Sequence, residues 1–255
     1  MTSHDQAEGV IVAEVPEPVG SGVALLFAQG SRPSAEEIDG LLAGLPAGRM
    51  LSVSHRAEAD LGDLELLCRG LSFDLQGLAP ARSAAVPVVM QRLELDDDEP
   101  QLEAVTLMAG RHLEGGAHLL PVLRTHLDVA LALTGLSGLK AVIWARSGVM
   151  MSPEHFARIV GGWLEGGPFP VPGLVALLRD AEGGLLSSYG LSFFTPRQVR
   201  VEGSCEAQAE VAAALIGRLV DGDGHVPAWI TDNDGGVWNV SWVAEQGLVT
   251  ARRSA

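Results

Sequence analysis

The sequence predicts an α/β protein (α+β mixed), with mixed β-sheets and helices packed on them. Two observations carry this. Short apolar runs recur along the chain, among them Val23–Ala28 (VALLFA), 104–108 (AVTLM) and 141–144 (AVIW). Runs of this length and composition fit strands buried on both faces. Between them lie longer segments whose apolar residues recur at helical spacing, opened by Ser and closed by Gly.

Residues 1–20 are polar and acidic with two prolines, and read as a flexible arm. After the strand Val23–Ala28, Ser34 caps a helix with Glu36 and Glu37 in its first turn. Ile38, Leu41, Leu42 and Leu45 form its apolar face. Residues 50–53, 64–68 and 71–75 are further strands, the last two joined by a turn at Arg69-Gly70. This gives a β-α-β-β order. Residues 86–95 fit either a strand or a helix, and 96–100 form an acidic loop whose carboxylates point to water.

The second half opens with the strand 104–108. A long helix follows over about 118–134, with Leu119, Val122, Leu123, Leu127, Ala130 and Leu131 spaced for burial. The strand 140–145 completes a β-α-β unit, and a crossover of this length favours parallel pairing of its two strands. Ser152 then caps a helix with Pro153 at its first position and Glu154 near the positive end of its dipole. Residues 174–178 and 185–194 pair across the turn 180–184. Ser204 caps another helix, and 226–231 and 237–243 flank the turn 232–236. The chain divides into an arm (1–20), an N-terminal half (21–100), a C-terminal α/β half (101–245) and a polar tail (246–255). The halves are either two related β-α-β-β units or one continuous domain.

With 47% hydrophobic residues among 255, the chain can bury a sizeable core. Its net charge of -15 repels phosphate backbones and anionic membranes, so neither nucleic acid nor membrane is expected as a partner. The same charge attracts a basic protein. Cys68 and Cys205 make no CxxC pair and read as buried thiols in a reducing cytoplasm. The first residues lack the basic-then-apolar order of a signal peptide, and no run reaches the roughly 18 to 20 apolar residues that span a bilayer. The Ala-, Gly-, Leu- and Val-rich, lysine-poor composition matches that of GC-rich bacteria.

The second half carries a helix ending LALTGL, then AVIWARSGVMMSPEHF, SSYGLSFF and a final helix leading into DGDGHVPAWI. This order resembles the bacterial family domain of unknown function 4261, over roughly residues 84–240. Trp144-Ala145 stands where the family pattern has Tyr-Trp, and His225 where it has a small residue. The resemblance implies a fold and no known catalysis.

Few residues suggest chemistry. Of seven histidines, His112, His118 and His126 lie closest together, the last two eight apart on roughly one helix face. Without HExxH or His-x-His they read as surface or helix-end residues, and neither metal nor cofactor is expected. The segment 221–225 begins like a calcium loop, but Val226 and Pro227 occupy positions where such a loop needs glycine and a usable carbonyl. GxSxG and the phosphate-binding glycine motifs are absent. Ser147, His155 and Glu154 are the one local grouping suited to nucleophilic catalysis; the plainer reading is a loop serine before an exposed helix start. Ligands of open α/β sheets favour the C-terminal ends of strands, which makes Arg146, Ser147, Ser152 and Glu154 candidate binding residues. Trp238 and Trp242, four apart on a strand, share a face that is either a partner surface or the edge of the core. The expected function is a non-enzymatic cytoplasmic protein-binding module, an adaptor or a toxin-neutralising (immunity-type) protein that recognises a basic partner. The alternatives are a hydrolase using Ser147, His155 and Glu154, and a homodimer sealed by Trp238 and Trp242.

Overall fold

The computed structural model describes residues 20–46, 48–58, 61–95, 101–203, 206–222 and 225–254. The arm 1–19, the acidic loop 96–100, the proposed cap Ser204, Cys205, Asp223 and Gly224 lie outside them.

Among the described residues the strands form two mixed sheets. The first contains β1 (Val23–Ala28), β2 (Leu51–Arg56), β3 (Asp63–Cys68), β4 (Leu71–Gln76), β5 (Gln91–Leu93), β6 (Leu102–Ala109), β7 (Leu139–Trp144) and β8 (Val149–Met151), in the order β2-β3-β4-β6-β1-β7-β8-β5. The second contains β9 (Ala176–Arg179), β10 (Leu185–Tyr189), β11 (Gln198–Glu202), β12 (Trp229–Thr231), β13 (Val237–Val243) and β14 (Leu248–Arg253), in the order β12-β13-β14-β11-β10-β9. The helices are α1 (Ala35–Ala43), α2 (Leu120–Leu133), α3 (Pro153–Leu164), the single turn α4 (Val171–Leu174) and α5 (Ala207–Asp221).

Local chemistry accounts for several boundaries. Ser34 and Glu37 form a capping box at the start of α1. The Ser152 hydroxyl accepts a hydrogen bond from the His155 N–H at 3.1 Å, with Pro153 at the first position of α3. Arg69 and Gly70, with φ of 51° and 82°, make the tight β3–β4 turn that the right-handed twist of a hairpin favours.

Strand β1 is buried along almost its whole length and pairs antiparallel with both β6 and β7. The expected parallel pairing of β6 with β7 is corrected accordingly. The two strands run the same way, but the crossover through α2 leaves a gap one strand wide, and VALLFA fills it. One face of this sheet, with Leu25, Phe27, Phe73, Leu107 and Trp144, packs against Leu127 of α2 and Phe156 of α3. The same cluster runs on to Val199, Ile216 and Trp238 of the second sheet and α5, so one core serves both sheets. Each fully buried Leu, Val or Phe in it contributes roughly 1.5–3 kcal/mol. A smaller cluster of Ala24, Leu26, Ala104, Ala141, Ile143 and Met150 lies on the opposite face, with Ala84 and Leu95 against it.

Among the described residues α5 packs on one face of the second sheet, against β10 and β11. Val199 and Val201 of β11 point inward, while Gln198, Arg200 and Glu202 alternate with them on the open face. The two sheets meet where the edge strands β5 and β9 approach, and the Leu177 N–H donates to Gln91 Oε1 at 3.0 Å.

The mixed α/β class holds, while several expectations need correction. A boundary at residue 100 falls inside the first sheet, whose strands come from both sides of it, and the second sheet begins at Ala176. Nor do the two β-α-β-β orders superpose. After α1 the chain returns to the far edge and steps inward through β2, β3 and β4, whereas after α2 it steps outward through β7 and β8. Residues 246–255 are not a polar tail. Leu248–Arg253 is β14, held between β13 and β11, with Val249 and Ala251 fully buried. Of 86–95 only Gln91–Leu93 is a strand, and the strand in 185–194 stops at Tyr189. The strands Gln198–Glu202 and Val149–Met151 were not expected. Among the described residues no helix is long and apolar enough to cross a membrane.

Candidate functional site

At Trp144 the strand β7 ends, and residues 145–148 turn the chain straight back into β8, with the Gly148 N–H donating to the Trp144 carbonyl at 2.9 Å. The turn is a tight hairpin, because Val149–Met151 pairs antiparallel with β7. Gly190 clamps this turn. Its φ is +81°, and a Cβ there would lie 2.6 Å from Ser147 Cβ and 2.8 Å from the Arg146 carbonyl oxygen. Only glycine tolerates both the conformation and the approach. The chain then places Phe193 under Arg146, whose guanidinium lies 4.7 Å from the ring centroid.

A cleft of about 230 Å³ opens at the end of the first sheet where β6 and β7 finish and β1 begins. Trp144, Arg146, His126, Phe193, Asp74 and Glu114 line it. Trp144 is 1% exposed and meets the rings of His126 and Phe193 edge-on, at 6.2 Å and 5.7 Å. Its Nε1–H has no hydrogen-bond partner among the described residues. A buried donor left in this state costs about 1–3 kcal/mol.

His126, on the buried side of α2, stacks on Phe73 and makes a 3.1 Å hydrogen bond through Nε2 to the Leu107 carbonyl. A carbonyl only accepts, so Nε2 carries the proton. Burial, reinforced by the nearby Arg146 charge, pushes the His126 pKa down to about 4 and keeps the ring neutral. Burial also lowers the Arg146 pKa, and among the described residues no carboxylate pairs with its guanidinium. Asp74 shows the opposite response. Burial raises its carboxyl pKa, and the charges of Glu65, Asp63 and Glu114 push the same way. Asp74 lies on β4 and Arg146 just beyond β7, with β6 and β1 between them. Phe73 and Leu75 turn inward with Trp144, so Asp74 between them projects from the opposite face of the sheet, and at about 4.8 Å per strand its strand stands roughly 14 Å from that of Arg146.

Of the candidate residues on this stretch, Arg146 alone lines the cleft. Ser147 is fully buried and its hydroxyl has no partner. Ser152 is committed to its helix cap, and Glu154 points outward from the first turn of α3. His155 lies at the other end of β8, about 10 Å along the strand from Ser147. Its Nδ1 is 3.0 Å from Glu94 Oε1 and 2.7 Å from Arg158 Nη2. No hydrogen bond joins Ser147 to His155, so nucleophile and base do not converge.

The tryptophan pair also divides. Trp238 is fully buried and donates from Nε1 to Asp232 Oδ2 at 2.9 Å. Trp242, on the same face, is 39% exposed where the strand runs on past its covering, with Arg197 4.9 Å from its ring centroid. Of the three close histidines, His118 is exposed ahead of α2 while His126 is in the core, so they do not share a helix face.

Asp74, His126 and Trp144 were not expected at a site. Asp74 left one trace in the sequence, a lone acid within the apolar strand LSFDLQ. Compared with protein-family models, curated proteins and solved structures, the chain matches none.

Proposed function

We propose that the protein is a non-enzymatic cytoplasmic binding module that recognises a basic protein partner, of the adaptor or toxin-neutralising kind. The open face of β3 and β4 is the observation that supports it. Glu65 and Asp74 are direct partners in the antiparallel ladder, and Asp63 lies on the same face. Like charges placed directly opposite repel across the sheet. Ser54 Oγ donates to Glu65 Oε1 at 2.6 Å and holds that carboxyl below its usual pKa, so Glu65 stays charged. Burial pushes the Asp74 carboxyl up, and the Glu65 and Asp63 charges add to it. A Lys or Arg from a partner placed between them relieves this repulsion, and the net charge of -15 steers such a partner in. The separation of Ser147 from His155 removes the main support for a hydrolase.

Capture of partners by the tagged protein in its native host, at low and at high salt, tests this reading. Partners are expected to be basic, to dissociate at high salt and to be lost from the Glu65→Lys/Asp74→Lys variant. A set of partners indifferent to both salt and charge reversal refutes it.

A further inference from the structure

We propose that the open face of the second sheet binds a tetrahedral oxyanion, a phosphate or sulfate group, at Arg200 between the hydroxyls of Ser187 and Thr250. This goes beyond the protein-partner reading and uses none of its acidic residues, so either can fail while the other stands.

The pairing register puts these groups side by side. Arg200 on β11 is the direct partner of Ser187 on β10 and of Thr250 on β14, and Thr250 is the direct partner of Ser241 on β13. Directly paired residues project from the same face. Their neighbours Val199, Val201, Val249 and Ala251 are buried on the other face, where α5 packs. A row of Ser187, Arg200, Thr250 and Ser241 therefore crosses four adjacent strands, each residue half-buried or exposed. None of these four side chains makes a hydrogen bond or an ion pair among the described residues. Glu202, the acid on this face of β11, is held by Arg252, which donates from Nη2 to Oε1 at 2.9 Å and from Nε to Oε2 at 2.6 Å. β12, β13 and β14 bring no carboxylate to the face. Arg200 thus keeps its charge uncompensated among hydroxyls. A guanidinium fork engages two oxygens of an anion, and hydroxyls donate to any that remain. A carboxylate has only the two, whereas a phosphate or sulfate group offers more. Strand spacing sets Ser187 and Thr250 about 4.8 Å to either side of Arg200, close enough for both hydroxyls to flank an anion held by that side chain. Leu178, the direct partner of Ser187, and Leu185 add apolar surface at the same place, which suits an ester with an apolar carrier. The net charge of -15 repels anions at long range, but salt at about 0.15 M screens it beyond roughly 8 Å, and contact with Arg200 then decides.

Titration of the ¹⁵N-labelled protein with phenyl phosphate, inorganic phosphate, inorganic sulfate and acetate, in about 0.15 M sodium chloride, tests the site. Phenyl phosphate is expected to shift the backbone amides of β10, β11 and β14 saturably. Tighter binding of phenyl phosphate than of inorganic phosphate supports an organic ester as the natural ligand, and equal binding supports the free anion. Acetate is expected to bind at least about tenfold more weakly than phenyl phosphate. Arg200→Met is expected to weaken phenyl phosphate binding at least about tenfold, and Ser187→Ala and Thr250→Val about threefold each, with the amide resonances of the first sheet showing that the fold persists. Arg111→Met removes the same charge from an exposed position beside the first sheet and is expected to change the affinity less than about twofold. Shifts that never saturate with any of the phosphate or sulfate probes overturn the proposal. So does acetate binding as tight as that of phenyl phosphate, affinity that survives Arg200→Met, or an equal loss in Arg111→Met.

Discussion

His126 makes the stability of the protein depend on pH in a defined window. Unfolded, its imidazole takes up a proton near 6.5; folded, burial beneath α2 and the neighbouring Arg146 hold protonation back to about 4. The folded pKa is depressed, so the unfolded state binds more protons throughout the interval between these values. The contribution is therefore complete above about pH 6.5 and lost progressively as the pH falls toward about 4. Its full size is roughly 3 kcal/mol, at about 1.4 kcal/mol for each tenfold change in proton affinity. Urea unfolding at about pH 7 and about pH 4.5, for the parent and for His126→Gln, isolates it. The glutamine amide can still donate to the Leu107 carbonyl, and the titration of the carboxylates is common to both proteins. The parent is expected to lose roughly 2 kcal/mol more than the variant between these pH values. Equal losses, within about 0.5 kcal/mol, refute the assignment of a neutral His126 to the core.

Two further outcomes follow from packing. Gly190→Ala forces a side chain into the positive-φ region and against Ser147 and Arg146, and is expected to cost about 1–3 kcal/mol in a thermal or urea melt; a stability equal to the parent's refutes the clamp. Trp238→Ala is expected to lose about 3–5 kcal/mol because the ring is fully buried, while Trp242→Ala loses less than about 1 kcal/mol. Light scattering on the Trp242→Ala protein also tests the homodimer: an unchanged mass from a dimeric parent rejects that interface.

Elements with strong local signals were legible in the sequence. β1 and β7 were read from continuous apolar runs, and α3 from Ser152-Pro153 followed by apolar residues at helical spacing. The missed strands lack such signals. In β14 the inward residues are Val249 and the small Ala251, and Arg252-Arg253 close it, so the alternation was faint and the charges suggested a tail. β8 has three residues and owes its strand conformation to pairing with β7 and β5. The location of the site was half legible. The C-terminal end of β7 does border the cleft, and Arg146 lines it. The other groups could not be found by reading along the chain, because Asp74, His126 and Trp144 come to one end of the sheet only once β4, β6, β1 and β7 are ordered side by side. Ser147 and His155 erred in the opposite sense. Eight residues apart in sequence, they look like neighbours, until an extended strand is laid between them.

The insertion of β1 between β6 and β7 bears on how the chain is made. Val23 pairs with Leu107 on one side and Trp144 on the other, so both neighbours are translated long after the strand itself. At typical elongation rates VALLFA waits on the order of ten seconds for its second partner. It carries no charge and no proline, the composition that favours assembly between chains. Slower translation between residues 109 and 139 lengthens the exposure. A silent change of codons there can lower the soluble yield while the finished protein is identical in every atom.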